Sequence, residues 1–485
     1  MFIDYRCINF CLLERVGKME NIMREHTAKP TKDLLKNIHK IYLLIAIIGG
    51  MIFSIAMPMF NEPDGQYHFA VSSAMVGLNT DISRYGEQEI GSGMANQKPF
   101  YHTGKFLDQY FLTKVTLYPL KDSPRNLDIE NKFTYNYTGH IVPAVGVWLG
   151  YHIYPSMGVM VVVARLFSML IYSLIMFFII KHLKFGKLLF ATISLSPVIM
   201  NSFSSLSYDS LGMVTIAAAI AIMIDMVAQR KVRIWHWGAV VALVVLIFIG
   251  SKQNLWLVNL LFPVTMIVVS LLKRNEQVER LYLRRKRERT SVLIRYKWWF
   301  FGVLVVAFIA VGSYLTRDKG GLFEVIIRLI FTQTFRFYPN TSMGDFVDLL
   351  VAPHPSYNYM PTSLIAVWGI LVATVSISER AYHRSMLLSW FSFIVLLLGI
   401  FSTYYGFLGF IWTDGLPGFA LRMTIQGVQW RYFTPLLLLL PLIFSNERIK
   451  FRVPSRNSVV IFMIVTAIVS NFLLVFNTLW GMIMV

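Results

Sequence analysis

"IYLLIAIIGGMIFSIAMPMF", residues 41–60, is a run of twenty residues without a charge. As a helix, such a run covers roughly 30 Å, the thickness of a bilayer's hydrocarbon core. "NEPDGQYHF" (61–69) follows at once and sets Glu62, Asp64 and His68 where the chain leaves lipid. The first stretch predicts a membrane span. The second asks why acids stand at its mouth.

Similar runs recur along the chain, at about 41–60, 156–180, 186–203, 208–228, 235–250, 253–272, 297–316, 361–379, 385–405, 431–445 and 457–482. They predict an all-α polytopic membrane protein with about 11 transmembrane helices. The chain is 56% hydrophobic with mean hydropathy +0.57, which excludes an ordinary soluble globule. Trp and Tyr gather near the ends of the runs, as interfacial belts require. Cys7 and Cys11 are the only cysteines. They build no disulfide framework and make a poor metal clip. The first 40 residues are mixed in charge and the first run is full length, so it reads as an anchor rather than a cleaved signal. Met19 and Met23 are alternative starts.

Alternate connections differ in Lys and Arg. The N-terminal tail, "KHLKFGK", "QRKVR", "KRNEQVERLYLRRKRERTSVLIRYK", "SERAYHR" and "NERIKFR" form the cationic set. The positive-inside rule makes these cytoplasmic, with the N-terminus inside and the C-terminus outside, in the plasma membrane. Most of the net charge of +19 then faces anionic lipid. "RRKRER" lacks the aromatic interleaving of a single-strand binder, so no nucleic-acid partner is expected.

The expected organisation is a cytoplasmic tail (1–40), a first helix (41–60), a large external loop (61–155), helices two to seven (156–316), an external loop (317–360), and helices eight to eleven (361–485) with an external loop at 406–430. A loop as long as 61–155 is usually functional. Interfacial helices are expected at "HIVPAVGVWLGYHIY" (140–154) and "GLFEVIIRLIFTQTF" (321–335).

In this topology Glu62, Asp64, His68, Tyr208, Asp209, Lys252, Gln429, Arg431 and Tyr432 fall at one membrane face, from segments far apart in sequence. Pro63 suits a first helical turn capped by Asn61 or Glu62, with Asp64 and His68 one turn apart. Each residue also has a plain structural reading: a capped interfacial helix, a first-turn acid at Asp209, a snorkelling Lys252, an interfacial anchor at 429–432. Arg165 lies about ten residues into the second span, where an arginine needs a partner or a polar cavity. Carboxylates for proton abstraction and cations for a phosphate make a polar site their simplest common cause.

Pro63-Asp64 with His68-Phe69, the stretch from Pro197 to Asp209, Lys252, and "GVQWRYFTP" (427–435) resemble a large bacterial family of polytopic membrane proteins, a domain of unknown function. Its members are similar to GT-C-type glycosyltransferases. The family pattern carries an acid after the Pro-Asp pair, where this chain has Gly65. It often has glycine where this chain has Trp430.

The resemblance implies a GT-C-like fold. It also implies transfer of a sugar, with inversion, from a polyprenyl-phosphate donor to a cell-surface glycan or similar acceptor outside the cell. Asp64 would be the base, with Glu62 and His68 beside it. Lys252 or Arg431 would stabilise the leaving phosphate. Tyr208, Asp209, Gln429, Tyr432 and Arg165 would complete a substrate site in contact with membrane lipids. A separate donor synthase and a flippase would be required. Glu62 and Asp64 offer oxygen ligands to a divalent cation such as Mg or Mn, although two acids make a poor cage. Rival readings are a lipid-linked glycan polymerase or ligase, a transporter or flippase for cell-envelope precursors, and a non-catalytic scaffold.

Overall fold

The computed structural model describes residues 34–82, 85, 105–119, 129–282, 306, 309–334, 349–353, 358, 360–408, 425, 427–448 and 456–484. Cys7, Cys11, "RRKRER" and most of the expected span at 297–316 lie outside them.

The described residues are helical and contain no β-strand. Six helices are long and apolar enough to cross a membrane: Leu34–Ala56, Met157–His182, Asp209–Gln229, Gln253–Leu272, Met386–Gly406 and Arg456–Leu479. Shorter apolar helices cover Ile141–Ile153, Ile234–Gly250, Ser363–Ser378 and Trp430–Phe444. Leu44, Ile48, Ile52 and Ile55 of the first span are exposed, as a lipid-facing stripe should be, while Tyr42, Ala46, Gly50 and Phe53 pack inward.

Seven elements position the polar region: α1 (Ile38–Ala56), α2 (Gly65–Met75), α3 (Tyr135–Gly139), α4 (Ile141–Ile153), α5 (Met157–His182), α6 (Lys187–Ser194) and α7 (Pro197–Phe203). They are followed by α8 (Asp209–Gln229), α9 (Ile234–Gly250) and, near the end of the chain, α10 (Arg456–Met484). Helix α1 stops four residues short of the expected boundary because Pro58 cannot continue it.

The expected interfacial helix at 140–154 exists as α4, packed along α5. A Cβ on Gly146 would lie 2.5 Å from the Ala164 Cα, and one on Gly150 would lie 2.7 Å from the Met160 Cα. This small-xxx-small spacing lets the two backbones touch. Val147 is buried, while Val145 and Trp148 remain exposed on the other face. The second expected interval also forms a helix, Gly321–Thr334, with Phe323 exposed and Val325 buried.

The interval 186–203 is not one continuous span. It is the two short buried helices α6 and α7, parted where Ser196 caps α7 and Pro197 occupies its first turn. Asn471 of α10 donates to the Leu195 carbonyl at the break, at 2.8 Å. The Glu379 carboxylate accepts the Leu188 N–H at the start of α6, at 2.9 Å. A broken helix inside a membrane bundle needs such outside partners for its freed backbone groups. Likewise 431–445 is a 3-10 helix, Trp430–Leu439, that passes into a short α-helix, Leu440–Phe444.

Candidate functional site

The C-terminal ends of α1 and α9, the N-terminal end of α8 and the start of the 3-10 helix at Trp430 converge at one end of the bundle. Between them lies a narrow cleft open on one side. Glu62, Tyr208, Asp209, Lys252, Arg431 and Tyr432 are on its wall. Ser202, Ser205 and Ser207 add hydroxyls, and Val198, Ile199 and Leu255 an apolar floor.

Asp209 begins α8, with the Ser207 hydroxyl accepting its N–H at 3.2 Å. Its carboxylate sits at the positive end of the helix dipole. Lys252 Nζ approaches Asp209 Oδ1 at 2.8 Å, and Arg431 Nε lies 4.0 Å from Oδ2. Lys252 is also flanked by two rings, 3.8 Å from the Tyr432 centroid and 4.9 Å from that of Tyr208. Arg431 donates from Nη1 to the Pro353 carbonyl at 3.1 Å. Asn254 donates to the Tyr432 carbonyl at 3.1 Å and ties the turn after α9 to the same wall. Gln429 precedes the 3-10 helix and is not a wall residue.

The loop after α1 is the most tightly built part. Phe60 and Asp64 both take left-handed backbone, φ 58° and 59°, which non-glycine residues seldom do. The helix therefore begins at Gly65, not at Pro63 as expected. Pro63 sits within the turn closed by Gly65 N–H on the Glu62 carbonyl at 3.0 Å. A Cβ at position 65 would lie 2.8 Å from the Phe60 Cα, so in this loop backbone fills the place a side chain would take. Asp64 is exposed, with no side-chain cap bond to α2, and stands within electrostatic reach of Tyr208.

Glu62 is otherwise occupied. It is 4% exposed, and its Oε2 accepts from Arg165 Nη2 at 2.7 Å. Its Oε1 takes the Leu206 N–H at 3.5 Å. Arg165, 1% exposed, also donates to the carbonyls of Met57 and Pro58, each at 2.9 Å. Met57 is the C-cap of α1, where helical carbonyls run out of partners, and the Pro58 carbonyl just beyond it also takes the Asn61 N–H at 3.2 Å. Arg165 thus caps the first span and neutralises Glu62. Its three bonds hold the loop that carries Asp64.

His68 is buried beside His140, with Nδ1 2.8 Å from His140 Nε2. Tyr208 meets both imidazoles edge-on, with ring centroids 4.8 and 5.5 Å away. Burial chiefly, and then the charges of His140, Arg431 and Lys252, holds His68 well below the ordinary histidine range. Burial lowers His140 to about 4. His140 and Asn358 had no signal in the sequence. Asn358 donates to Asn61 Oδ1 at 3.1 Å and to the Thr478 hydroxyl at 2.9 Å, joining the loop to α10.

Among the described residues no group of three or more His, Cys, Asp or Glu is placed to hold a metal ion. Glu62 is committed to Arg165 and Asp209 to Lys252. With both Glu62 oxygens engaged by Arg165 and the Leu206 N–H, the expected Glu62–Asp64 pair does not fit a resident Mg or Mn.

Residues 47–440, most of the chain, match the family model DUF2142, described as a predicted membrane protein. The chain belongs to the DUF2142 family. No curated protein and no solved structure matches it. Membership agrees with the apolar helices: this DUF2142 protein is a multi-pass membrane protein. The matched residues include Asp64, Arg165, Asp209, Lys252 and Arg431, whereas α10 lies beyond them.

Proposed function

We propose that this DUF2142 protein is a GT-C-like glycosyltransferase. It moves a sugar from a polyprenyl-phosphate donor to a cell-surface glycan or similar acceptor at the extracytoplasmic face, with inversion. The observation that carries the reading is the meeting of Asp209, Lys252 and Arg431 in one cleft at one end of the bundle. Glu62 is cancelled by Arg165, so two cations against Asp209 leave the cleft net positive. Such a site stabilises a leaving phosphate.

The apolar floor suits the first part of a prenyl chain. Asp64 is exposed and uncapped, next to Pro63 on the cleft wall, and would act as base on an acceptor hydroxyl. The eleven-span topology, with the N-terminus inside and the large first loop outside, belongs to the same proposal. So does dependence on a separate donor synthase and flippase. A transporter would need polar groups near the bilayer midplane. Arg165, the residue best placed for that, spends its bonds on Met57, Pro58 and Glu62.

The test is surface-glycan composition in cells lacking the chain, complemented with wild type or Asp64→Asn at matched membrane abundance. One sugar should be lost in the deletion and restored by wild type, with Asp64→Asn at least ~10²-fold less effective. Full restoration by Asp64→Asn would make Asp64 a loop residue and sink the proposed chemistry.

A further inference from the structure

The proposed chemistry leaves the histidine pair of the first loop unused. His68 is 2% exposed and His140 fully buried. His140 Nδ1 hydrogen-bonds the Asn136 carbonyl one turn back. A carbonyl only accepts, so the His140 proton is on Nδ1. Nε2 of a neutral His140 is then an acceptor, and His68 Nδ1, 2.8 Å away, must donate to it. The reverse arrangement would require both His140 nitrogens to carry protons. That is a buried imidazolium, and among the described residues no carboxylate lies within ion-pair distance of it. A neutral His68 gives its one proton to His140, and its Nε2 keeps a lone pair. The Pro63 carbonyl favours a charged ring, but less than burial opposes it.

The surroundings favour the same state. Arg431 and Lys252 act on His68 from the cleft and oppose a third positive charge there, and burial opposes it more strongly. Asp209 acts on His140 in the opposite sense, but less than burial does. Tyr67 and Tyr208 line the pair with ring edges rather than charges, and Tyr135 packs edge-on against Tyr208 behind them. Asp64 precedes His68 by one turn, and its carbonyl accepts the His68 N–H at 2.9 Å.

We infer that His140 is a positioning residue that locks His68 as the uncharged Nδ1–H tautomer and presents the His68 Nε2 lone pair as a proton acceptor beside Tyr208 at the cleft wall. The use of that acceptor in sugar transfer rests on the proposed function; the lock itself does not. In transfer, the acceptor hydroxyl forms the new bond to the sugar, the donor's phosphate–sugar bond breaks, and the hydroxyl proton goes to Asp64. The His68 Nε2 lone pair, in the ring cluster with Tyr208, is a second acceptor to which that proton can pass.

The test is nitrogen-15 NMR of the full chain, labelled at histidine and held in lipid nanodiscs at pH 7. The His68 signals are identified by their loss in His68→Gln. Wild type should show Nδ1 protonated and Nε2 bare. His140→Gln, whose side-chain oxygen can take the same proton, should keep that pattern. His140→Leu should give a mixture with protonated Nε2. An imidazolium or an Nε2–H tautomer in wild type overturns the lock, as does an unchanged pattern in His140→Leu. If His140→Leu does not fold, wild type and His140→Gln still decide.

Glycan transfer gives the second readout. His140→Leu should lower turnover about tenfold at unchanged KM, with His140→Gln close to wild type. A lock present by NMR without that turnover effect removes the catalytic use. An Asp64→Asn variant of full activity fails the functional reading and leaves the tautomer result standing.

Discussion

Arg165 and His140 carry the sharpest residue-level consequences. Arg165 was visible in the sequence as an arginine too deep for lipid, but its partners were not. It meets Glu62 and the two end carbonyls of α1 from more than 100 positions away. Arg165→Met would leave a buried carboxylate without its cation and take a donor from the Met57 and Pro58 carbonyls. It should destabilise the protein by about 3–5 kcal/mol, read as loss of resistance to chemical unfolding in detergent. Pairing it with Glu62→Gln should recover part of that loss, because the uncompensated charge is then gone. An Arg165→Met protein as resistant as wild type would contradict the capping role.

His140 makes stability depend on pH. Its folded value, about 4, lies below the unfolded value of 6.5. The unfolded chain therefore binds the extra proton between those limits. Stability is complete above 6.5, falls as pH drops towards 4, and is level below that. The loss is on the order of 3 kcal/mol. Unfolding of wild type against His140→Gln across this window checks it: the variant should show the shallower slope.

At the level of elements, α4 and α5 depend on contact between backbones. Gly146 faces the Ala164 Cα so closely that any side chain must push the helices apart. Gly146→Val should cost about 1–3 kcal/mol, more than the same change at Gly238, where an added Cβ meets nothing within 4 Å. Thermal melts of the two variants in one detergent make the comparison. Equal melts would mean the close approach is not maintained. The broken pair α6 and α7 shows why element boundaries were only partly legible. Pro197 stands at the break, yet the groups that make it tolerable, Asn471 and Glu379, come from remote segments.

For the whole molecule, orientation is the measurable claim. Cys7 and Cys11 are the only native cysteines, so a background with both changed to serine accepts single reporters. Lys132 and Lys184 are both exposed, on the first loop and on the turn after α5. In intact cells a membrane-impermeant thiol reagent should label Lys132→Cys and spare Lys184→Cys. Lysed cells should label both. The opposite pattern would put the cleft on the cytoplasmic side and remove the outer-face reaction.

By itself the sequence determined the class of protein, most helix positions and the residues worth watching, because bilayer thickness and the cost of charge in lipid act on local runs of residues. The tertiary structure decided what those residues face. Glu62 became the partner of Arg165 rather than of Asp64, while Asp209 joined Lys252 and Arg431. His140 entered beside His68 with no motif to announce it. Ion pairs and shared protons depend on distances of 3–4 Å between segments far apart in the chain. No local pattern encodes those distances; the packing of the helix ends sets them.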